Sequence, residues 1–484
     1  MKGKSLRVAI IGAGPAGIAA AIRLHQQGVD DVVLFEKNAA IGGTWNVNRY
    51  PGLSCDVPAH LYRFTFAPNP EWTHRYAPRA EILEYIQGMA EKHNVVEKVR
   101  LSHEVTSAEY SEGRWRIHTN HGDAGLYDIV MTAVGVLHHP VYPDIPGLRD
   151  FKGYLVHPSM WDEATDLRGK RVGIIGTGST AVQIVSAIVD VAARVTLFQR
   201  TAQWILPEEN PEIPEELRAR YRSDPAYLEQ RYRNLSEKFM AGFGTALADP
   251  RSQAYAEIAR LCRENLAQNV HNEDLRRKLT PNYEVGCKRL VVSNNFYAAI
   301  QQPTAVLVTD PIERIEAKGV RSADGKLHEF DVLVTATGFD AHNYCGPIAV
   351  KGVAGLTLEQ AWRDMPRTYR GVCVPRFPNW FMLGGPTTPI GNFPYFTTVE
   401  HQINYVLRLV ALLQSGAATA IDPKDEPTNA YNDALRVKAD TSLWASGCKS
   451  WYLGKDGKVY TYPWPFQQFQ AEMREPLFED FNLR

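Results

Sequence analysis

Two glycine-rich loops are the residues of this chain whose spacing points most directly to chemistry. The first, Gly12-Ala13-Gly14-Pro15-Ala16-Gly17, follows the apolar run at 8–11. The second, Gly176-Thr177-Gly178-Ser179-Thr180-Ala181, follows a similar run at 172–175. Glycines spaced in this way between a buried strand and a helix let the backbone approach a pyrophosphate, which rests on the helix N-terminus. Two such loops predict that two nucleotide cofactors meet, as when a nicotinamide reduces a flavin.

The residues that end the second strand of each unit predict which cofactor binds where. Glu36 follows the run at 32–35, and its carboxylate would accept hydrogen bonds from a ribose diol and repel a 2′-phosphate, so the first site suits FAD. At the equivalent point of the second unit the neutral Gln199 is followed by Arg200. A guanidinium there can bind a 2′-phosphate with two hydrogen bonds, which favours NADPH over NADH.

The elements around these loops predict an α/β fold with two Rossmann-like dinucleotide-binding domains, in the FAD/NADP arrangement of glutathione reductase. The octets 128–135 and 331–338 resemble each other, each a buried strand that enters a glycine turn. We therefore expect an FAD domain in two parts, 1–147 and 332–484, and an NADPH domain at 150–331. Residues 207–285 lack strand periodicity and predict a helical insertion, which either covers the substrate site or forms a decoration or dimer contact.

Composition narrows the class of protein. The formal net charge of −1 over 484 residues favours neither nucleic acid nor an anionic membrane as a partner. The apolar stretch at 405–421 contains Arg408 and Gln414 and predicts a core helix, so no membrane span is expected. The six cysteines lie far apart, at 55, 262, 287, 345, 373 and 448. We expect a reduced, cytoplasmic setting, without disulfides and without a metal. The sequence predicts no particular oligomeric state.

A third motif lies between the glycine loops and makes the resemblance specific. Residues 151–162 read Phe-Lys-Gly-Tyr-Leu-Val-His-Pro-Ser-Met-Trp-Asp. They match in full the F-x-G-x-x-x-H-x-x-x-W-[PD] signature of Baeyer–Villiger monooxygenases, the type I class B flavoproteins. Related N-oxygenating enzymes usually carry Tyr or Phe where Trp161 stands. The chain thus resembles the Baeyer–Villiger family, and segments 42–45, 48–56, 286–289, 336–340 and 446–453 extend the resemblance over most of its length.

The resemblance implies a role for individual residues. The FAD-binding residues would be Gly12, Gly14, Gly17, Glu36, Thr44, Trp45, Asp56, Tyr62 and Val105. The NADPH-binding residues would be Thr177, Gly178, Ser179, Gln183, Arg200, Thr201 and Lys288. The catalytic residues would be Arg289 and Asp56, with Arg289 stabilising a negatively charged C4a-peroxyflavin and Asp56 positioning it.

The activity implied is insertion of one oxygen atom of O2 next to a ketone carbonyl, which gives an ester or a lactone. N- or S-oxygenation by the same fold stays open as an alternative, as does a non-catalytic NADP-sensing protein. An FAD-dependent disulfide reductase is disfavoured because no Cys-x-x-Cys pair is present. Single-domain aromatic hydroxylases are disfavoured because they lack the second glycine loop.

Three further features are less specific. His157 and Trp161 are four residues apart and would share a face if this stretch were helical, where His157 suits a hinge or packing role better than that of a catalytic acid. The Gly- and Pro-rich loop 384–394 is expected to shape the substrate pocket. The aromatic run 460–466 would either line an apolar channel or pack as a tail or dimer surface. It departs from relatives that continue Trp-Pro-Gly, because Phe466 follows Trp464 and Pro465.

Overall fold

The chain begins with the strand, turn and helix that the first glycine loop predicts. The computed structural model describes residues 5–454 and 456–484. Its first part contains β1 (Val8–Ile11), α1 (Pro15–Gln26), β2 (Val32–Phe35), α2 (Thr44–Val47), α3 (Arg79–Lys92), β3 (Val99–Arg100), β4 (Val105–Ser111), β5 (Arg114–Thr119), β6 (Gly122–Tyr127) and β7 (Ile129–Thr132).

The middle part repeats the strand–turn–helix unit and adds a group of helices. It contains β8 (Tyr154–Val156), β9 (Arg171–Ile175), α4 (Ser179–Ile188), β10 (Arg194–Phe198), β11 (Ile205–Leu206), α5 (Glu215–Ser223), α6 (Pro225–Phe239), α7 (Thr245–Ala248), α8 (Gln253–Asn269), α9 (Glu273–Leu279), β12 (Val291–Val292), α10 (Phe296–Ile300), β13 (Ala305–Val308), β14 (Ile312–Glu316), β15 (Gly319–Ser322), β16 (Leu327–Glu329) and β17 (Val332–Thr335).

The last part returns to the first sheet and is dominated by one long helix. It contains β18 (Ala349–Lys351), α11 (Leu358–Ala361), β19 (Trp380–Met382), α12 (Tyr395–Ser415), β20 (Ile421–Pro423), α13 (Asp425–Ala439), α14 (Phe466–Glu472) and β21 (Phe481–Leu483). Helix α12 contains the first part of the stretch 405–421 that was predicted as a core helix, but it ends at Ser415, where Gly416 has a positive φ. Ile403, Val406 and Leu409 on it are fully buried. Within the described ranges, no helix has both the length and the apolar character needed to cross a bilayer.

Two parallel five-stranded sheets carry the two glycine loops. The first has the order β19-β7-β1-β2-β3 and the second the order β13-β10-β9-β17-β8. All four residues of β1 are buried, as are four of the five residues of β9, which explains their continuous apolar sequences. This arrangement confirms the predicted α/β fold with two Rossmann-like units.

The internal repeat seen in the sequence is a repeat in the structure as well. The backbone N–H of Arg7 donates to the Asp128 carboxylate at 2.9 Å, and that of Arg171 donates to the Asp331 carboxylate at 2.8 Å. Asp128 thus connects the start of β7 to the start of β1, and Asp331 connects the start of β17 to the start of β9. Strands β1 and β9 are the ones that lead into the glycine loops. Strand β17 pairs with β8 and β9 in the second sheet, although the predicted division placed residue 332 in the last segment.

The predicted helical insertion consists of helices α5 to α9, with a π-helical turn at Met240–Gly244 between α6 and α7. It packs against both units. Ala259, Cys262 and Leu266 of α8 belong to the core of the second sheet, whereas Tyr232 and Met240 belong to the core of the first. The insertion therefore bridges the two cofactor-binding units.

Candidate active site

One cavity of about 1120 Å³ connects the two glycine loops. Most of the predicted site residues line it: Gly12, Gly14, Glu36, Thr44, Trp45, Asp56, Tyr62, Val105, Gly178, Ser179, Gln183 and Arg289. The predicted residues that do not line it are Gly17, Thr177, Arg200, Thr201 and Lys288. Pockets for single drug-sized ligands usually span about 300–1,000 Å³, so this cavity is large enough for a ligand bigger than most.

Backbone geometry explains why glycine occupies the key positions of both loops. Gly12 has φ +107°, and a Cβ there would lie 2.6 Å from the carbonyl oxygen of Ala133. Gly176 has φ +116°, and its Cβ would lie 2.3 Å from the carbonyl oxygen of Ala336. Each loop therefore passes directly over the end of the neighbouring strand, where any side chain would collide.

The helices that follow the loops begin without a side-chain cap. Gly14 precedes α1 and Gly178 precedes α4, and neither glycine can supply a capping oxygen. Backbone N–H groups of each first turn are therefore available at the cavity, where the helix dipole favours an anion. Two uncapped helix starts facing one cavity are the expected seats for two pyrophosphates.

Glu36 lies at the end of β2, buried against the first glycine loop. One carboxylate oxygen accepts the backbone N–H of Ala13 at 2.9 Å. The other accepts the backbone N–H and the side-chain amide of Asn38, at 2.9 and 2.7 Å. An ionised carboxylate has about four acceptor sites, so these three bonds orient Glu36 and leave capacity for a diol.

Arg289 and Asp56 form an ion pair in the cavity wall. The Nη2 of Arg289 lies 2.5 Å from Oδ2 of Asp56, and Nη1 donates to the carbonyl oxygen of Gly391 at 3.1 Å. Burial alone would lower the pKa of Arg289, but the charge of Asp56 outweighs it and the pKa is raised. The guanidinium is therefore a permanent positive charge, with about a third of its side chain exposed to the cavity.

Aromatic side chains surround this pair. The Trp45 indole N–H donates to the Tyr62 hydroxyl at 3.3 Å, and the Tyr62 ring stacks on Phe396 of α12 at 4.2 Å. Burial raises the pKa of Tyr62 well above its usual value, so its hydroxyl stays protonated. Cys55 is buried, and burial raises the pKa of its thiol, so it is an inert filler at this site.

The second unit reaches into the site through α4. The Tyr50 hydroxyl donates to Oε1 of Gln183 at 3.0 Å, and Nε2 of Gln183 donates to the carbonyl oxygen of Ser54 at 3.1 Å. Gly52 is required here, because a Cβ would lie 2.8 Å from the carbonyl oxygen of Gln183. The segment that carries Asp56 is thus fastened to the helix of the second glycine loop.

A cationic cluster lies beside the second glycine loop, outside the main cavity. Arg200 follows β10, and Lys288 lies near it, with its pKa lowered by burial first and then by the charge of Arg200. The Thr177 hydroxyl donates to the carbonyl oxygen of Thr201 at 2.7 Å, which holds Thr201 at the loop. Among the described residues neither cation forms a salt bridge, and the Lys288 ammonium lies over the Tyr283 ring, 4.8 Å from its centroid. Two neighbouring cations without a carboxylate partner are suited to bind a phosphate.

The signature segment 151–162 differs from a helical turn. Only Pro158–Met160 is helical, as a short 3₁₀ turn, and His157 precedes it while Trp161 follows it. The prediction of a shared helical face is therefore wrong, because Pro158 fixes a tight turn. His157 is buried. Its Nδ1 is hydrogen-bonded to Ser159 Oγ at 2.8 Å, and its Nε2 lies 3.1 Å from the carbonyl oxygen of Gly338. It links two interdomain segments, while Trp161 lines the cavity.

The expected absence of disulfides is wrong. Cys287 and Cys448 form a disulfide across 161 residues of sequence, with their Cα atoms 6.2 Å apart. The bond joins the segments 286–289 and 446–453, which the sequence analysis did not predict to be in contact. The only signal was that each of the two blocks contains one cysteine.

The loop 384–394 and the aromatic run 460–466 differ in their position relative to the cavity. Ile390, Gly391 and Phe393 of the loop 384–394 line the cavity, and a role of this loop in a substrate pocket stays a prediction. The run 460–466 does not line it: Tyr460 and Tyr462 are buried, and Tyr462 packs against Phe469 of α14. That run is a packed tail.

Comparison with known proteins gives four related findings. Residues 9–224 match the family of pyridine nucleotide-disulphide oxidoreductases. A Baeyer–Villiger monooxygenase of Pseudomonas aeruginosa is 37% identical over 454 residues, covering 92% of this chain and 85% of that protein. A crystal structure of cyclohexanone monooxygenase from Rhodococcus sp. Phi1 bound to NADP+ superposes with a TM-score of 0.88 at 30% identity, covering 99% of both chains. The OTEMO complex with FAD and NADP superposes with a TM-score of 0.89 at 25% identity, covering 100% of both chains.

Proposed function

Because the chain belongs to the Baeyer–Villiger monooxygenase family, we propose that it uses FAD, NADPH and O2 to insert one oxygen atom next to a ketone carbonyl, giving an ester or a lactone. The observation that carries this proposal is the Arg289–Asp56 ion pair, which lies in the wall of the cavity shared by the two glycine loops. The reaction is oxygen insertion, so the cavity must hold both cofactors and admit a small ketone.

The residues of the first unit fit FAD. The uncapped start of α1 would hold the pyrophosphate, Glu36 the ribose and Val105 the adenine, while Thr44, Trp45 and Tyr62 would contact the flavin ring. A Cβ on Gly43 would lie 2.9 Å from Cα of Gly14, so the segment before α2 packs directly on the first glycine loop and needs glycine at position 43. When bound and reduced, FAD supplies the oxygen-transferring chemistry, proposed here to proceed through a C4a-peroxyflavin.

The residues of the second unit fit NADPH rather than NADH. The uncapped start of α4 would hold the pyrophosphate, with Thr177, Gly178 and Ser179 at the loop and Gln183 further along the helix. Arg200 and Lys288, with Thr201, would hold the 2′-phosphate. The mutual repulsion of these two cations is relieved when a dianionic phosphate binds between them.

Arg289 supplies the charge that oxygen insertion needs. A reacting peroxide is nucleophilic as an anion, and its attack on a ketone develops negative charge on the carbonyl oxygen. A fixed guanidinium in a partly dry cavity favours both charges. Asp56 orients the guanidinium through Nη2 and thereby limits where that positive charge lies.

The cavity that contains Arg289 also has a partly apolar wall. Ile390, Phe393, Trp451 and Trp45 are large apolar side chains among the residues that line it. An apolar wall favours a ketone over a charged substrate, and it protects a reactive oxygen species from unproductive loss as peroxide.

Stopped-flow spectrometry tests the proposal. The purified protein is reduced anaerobically with NADPH and then mixed with oxygenated buffer, with and without each member of a ketone panel. We expect a long-lived intermediate absorbing in the near ultraviolet, whose decay a ketone accelerates while ester forms, as measured by mass spectrometry. Decay that only amines or sulfides accelerate would assign the protein to N- or S-oxygenation instead. Direct return to oxidised flavin with stoichiometric hydrogen peroxide would contradict any oxygenase function.

A further inference from the structure

The C-terminal segment 446–453 places a tyrosine against the Arg289 guanidinium. Tyr452 is 1% exposed, and it lies behind the cavity wall rather than in it. A Cβ on Gly391 would lie 2.6 Å from the Tyr452 hydroxyl oxygen and 2.9 Å from Arg289 Nη1. The hydroxyl and Nη1 are therefore neighbours, because both lie less than 3 Å from the position that a Cβ on residue 391 would occupy. Only glycine leaves that position empty.

We propose that Tyr452 is a positioning residue for Arg289, an inference that rests on the proposed oxygen insertion. Nη2 of Arg289 pairs with Asp56, and Nη1 donates to the carbonyl oxygen of Gly391. The buried Tyr452 hydroxyl has no hydrogen bond of good geometry among the described residues, but it is close enough to Arg289 for a weak one, which opposes the rise in its pKa. It is thus a neutral acceptor beside Nη1 that can take a stronger hydrogen bond when the guanidinium turns. The guanidinium can turn from Asp56 towards a reacting oxygen without leaving a buried N–H unpaired.

The neutrality of this acceptor matters to the chemistry. A second carboxylate beside Arg289 would draw the guanidinium to itself and cancel the charge that the reacting oxygen needs. A protonated phenol accepts the same hydrogen bond without cancelling that charge. Burial raises the pKa of Tyr452 although the charge of Arg289 opposes this, so the phenol stays protonated at neutral pH.

Independent contacts keep Tyr452 at this position. The Cys287–Cys448 disulfide joins the segment that carries Arg289 to the segment that carries Tyr452. The Tyr452 ring also packs against Trp444 at 5.2 Å and against Trp451 at 4.3 Å. The backbone N–H of Tyr460 donates to the carbonyl oxygen of Tyr452 at 2.9 Å. The phenol is therefore fixed from three sides, as a positioning group must be.

The substitution Tyr452→Phe removes only the hydroxyl and tests the proposal. Its matched control is Tyr405→Phe, since Tyr405 is also fully buried, also has an unpartnered hydroxyl and also lies near a half-buried arginine, Arg370. The first readout is independent of turnover. We expect phenylglyoxal to modify Arg289 several-fold faster in Tyr452→Phe than in the wild type, as measured by peptide mass spectrometry, and at the wild-type rate in Tyr405→Phe.

The second readout is the coupling of NADPH oxidation to ester formation. We expect flavin reduction by NADPH to proceed at the wild-type rate in Tyr452→Phe, while ester yield per NADPH falls several-fold and hydrogen peroxide rises in proportion. The pH at which ester formation reaches half its maximum should move upwards, because a loosely held guanidinium favours the anionic reactant less. A purely structural role for Tyr452 would lower stability without moving this pH profile.

The two proposals fail in different ways. If the wild type forms no ester from any ketone, the proposed function fails, and the modification rate of Arg289 still reports on its positioning. If the wild type forms ester, and Tyr452→Phe matches Tyr405→Phe in both Arg289 modification and coupling, the role proposed for Tyr452 is overturned.

Discussion

Arg289 and Asp56 are separated by 233 residues of sequence, and their side chains meet at 2.5 Å in the wall of the cavity. Asp56 belongs to the segment that follows α2, and Arg289 lies in the loop before β12, after the helical insertion. The pair therefore exists only when the first unit, the second unit and the insertion are assembled. Its charge and its place between two glycine loops are the basis of the proposed activity.

Replacing Arg289 with alanine should separate the two half-reactions. NADPH should still reduce the flavin at close to the wild-type rate, whereas ester formation should fall by about 100-fold to 1,000-fold, because a preorganised charge next to the developing oxyanion is lost. Rapid-reaction spectroscopy of each half-reaction measures this. Arg363→Ala, at an exposed arginine, serves as the control. Loss of reduction in Arg289→Ala would instead place this residue in cofactor binding.

Replacing Arg200 or Lys288 should reduce the preference for NADPH over NADH. Arg200→Ala and Lys288→Ala should each raise the KM for NADPH, by about 10-fold or more, because a charge-assisted hydrogen bond to the 2′-phosphate is lost. The KM for NADH should change little. Steady-state kinetics with both coenzymes measures the ratio, with Arg168→Ala, at a largely exposed arginine, as the control. An unchanged ratio would show that the 2′-phosphate is recognised elsewhere.

Breaking the disulfide should lower stability. Cys448→Ser and Cys287→Ser should each reduce the free energy of unfolding by about 2–4 kcal/mol, because the unfolded chain gains the freedom of a long loop. The double variant should lose no more than either single variant, since both remove the same bond. Urea unfolding followed by fluorescence measures these values, and treatment of the wild type with dithiothreitol should reproduce them. Additive losses in the double variant would show that the two cysteines act separately.

Acid should destabilise the protein partly through His60. Burial, and then the charges of Arg231 and Arg63, lower the pKa of His60 to about 3. Below about pH 6.5 the unfolded chain binds a proton at this histidine that the folded chain does not, so stability falls as the pH drops from about 6.5 towards 3. Between pH 7 and pH 5 this one residue should cost about 2 kcal/mol.

The variant that checks this is His60→Phe, which keeps a ring against Tyr221 and cannot be protonated. Its free energy of unfolding should decline less between pH 7 and pH 5 than that of the wild type. His271→Gln, at an exposed histidine, should retain the wild-type decline. Equal slopes for the wild type and His60→Phe would show that His60 is already protonated or solvated when folded.

The local patterns of the sequence predicted the elements on which the site is built. Continuous β-branched runs marked β1 and β9, and the glycines after them marked turns that the structure shows to be crowded by Ala133 and Ala336. Glu36 at the end of β2 was identifiable because strand, turn, helix and acid follow one another within a single unit. These features are local: each depends on residues close together in sequence.

Other features were mispredicted or missed because they depend on residues that are distant in sequence. The cysteines at 287 and 448 looked unrelated, and nothing in their spacing indicated a bond across 161 residues. His157 and Trp161 looked like neighbours on a helix, but Pro158 starts a short 3₁₀ turn that ends at Met160, and both residues lie outside it. Strand β17 belongs to the second sheet because it pairs with β9, a register that no local pattern reveals.

The sequence by itself determined the family, the α/β fold with two dinucleotide-binding units and the identity of the charged residues, because each depends on short motifs whose backbone requirements are strict. Only the tertiary structure decided which of those residues share a site. It placed Asp56 on Arg289, Gln183 between Tyr50 and Ser54, and the Tyr452 hydroxyl beside Nη1 of the arginine. The physical reason is that a side chain's partner is set by how whole elements pack, and packing joins residues that sequence distance keeps apart.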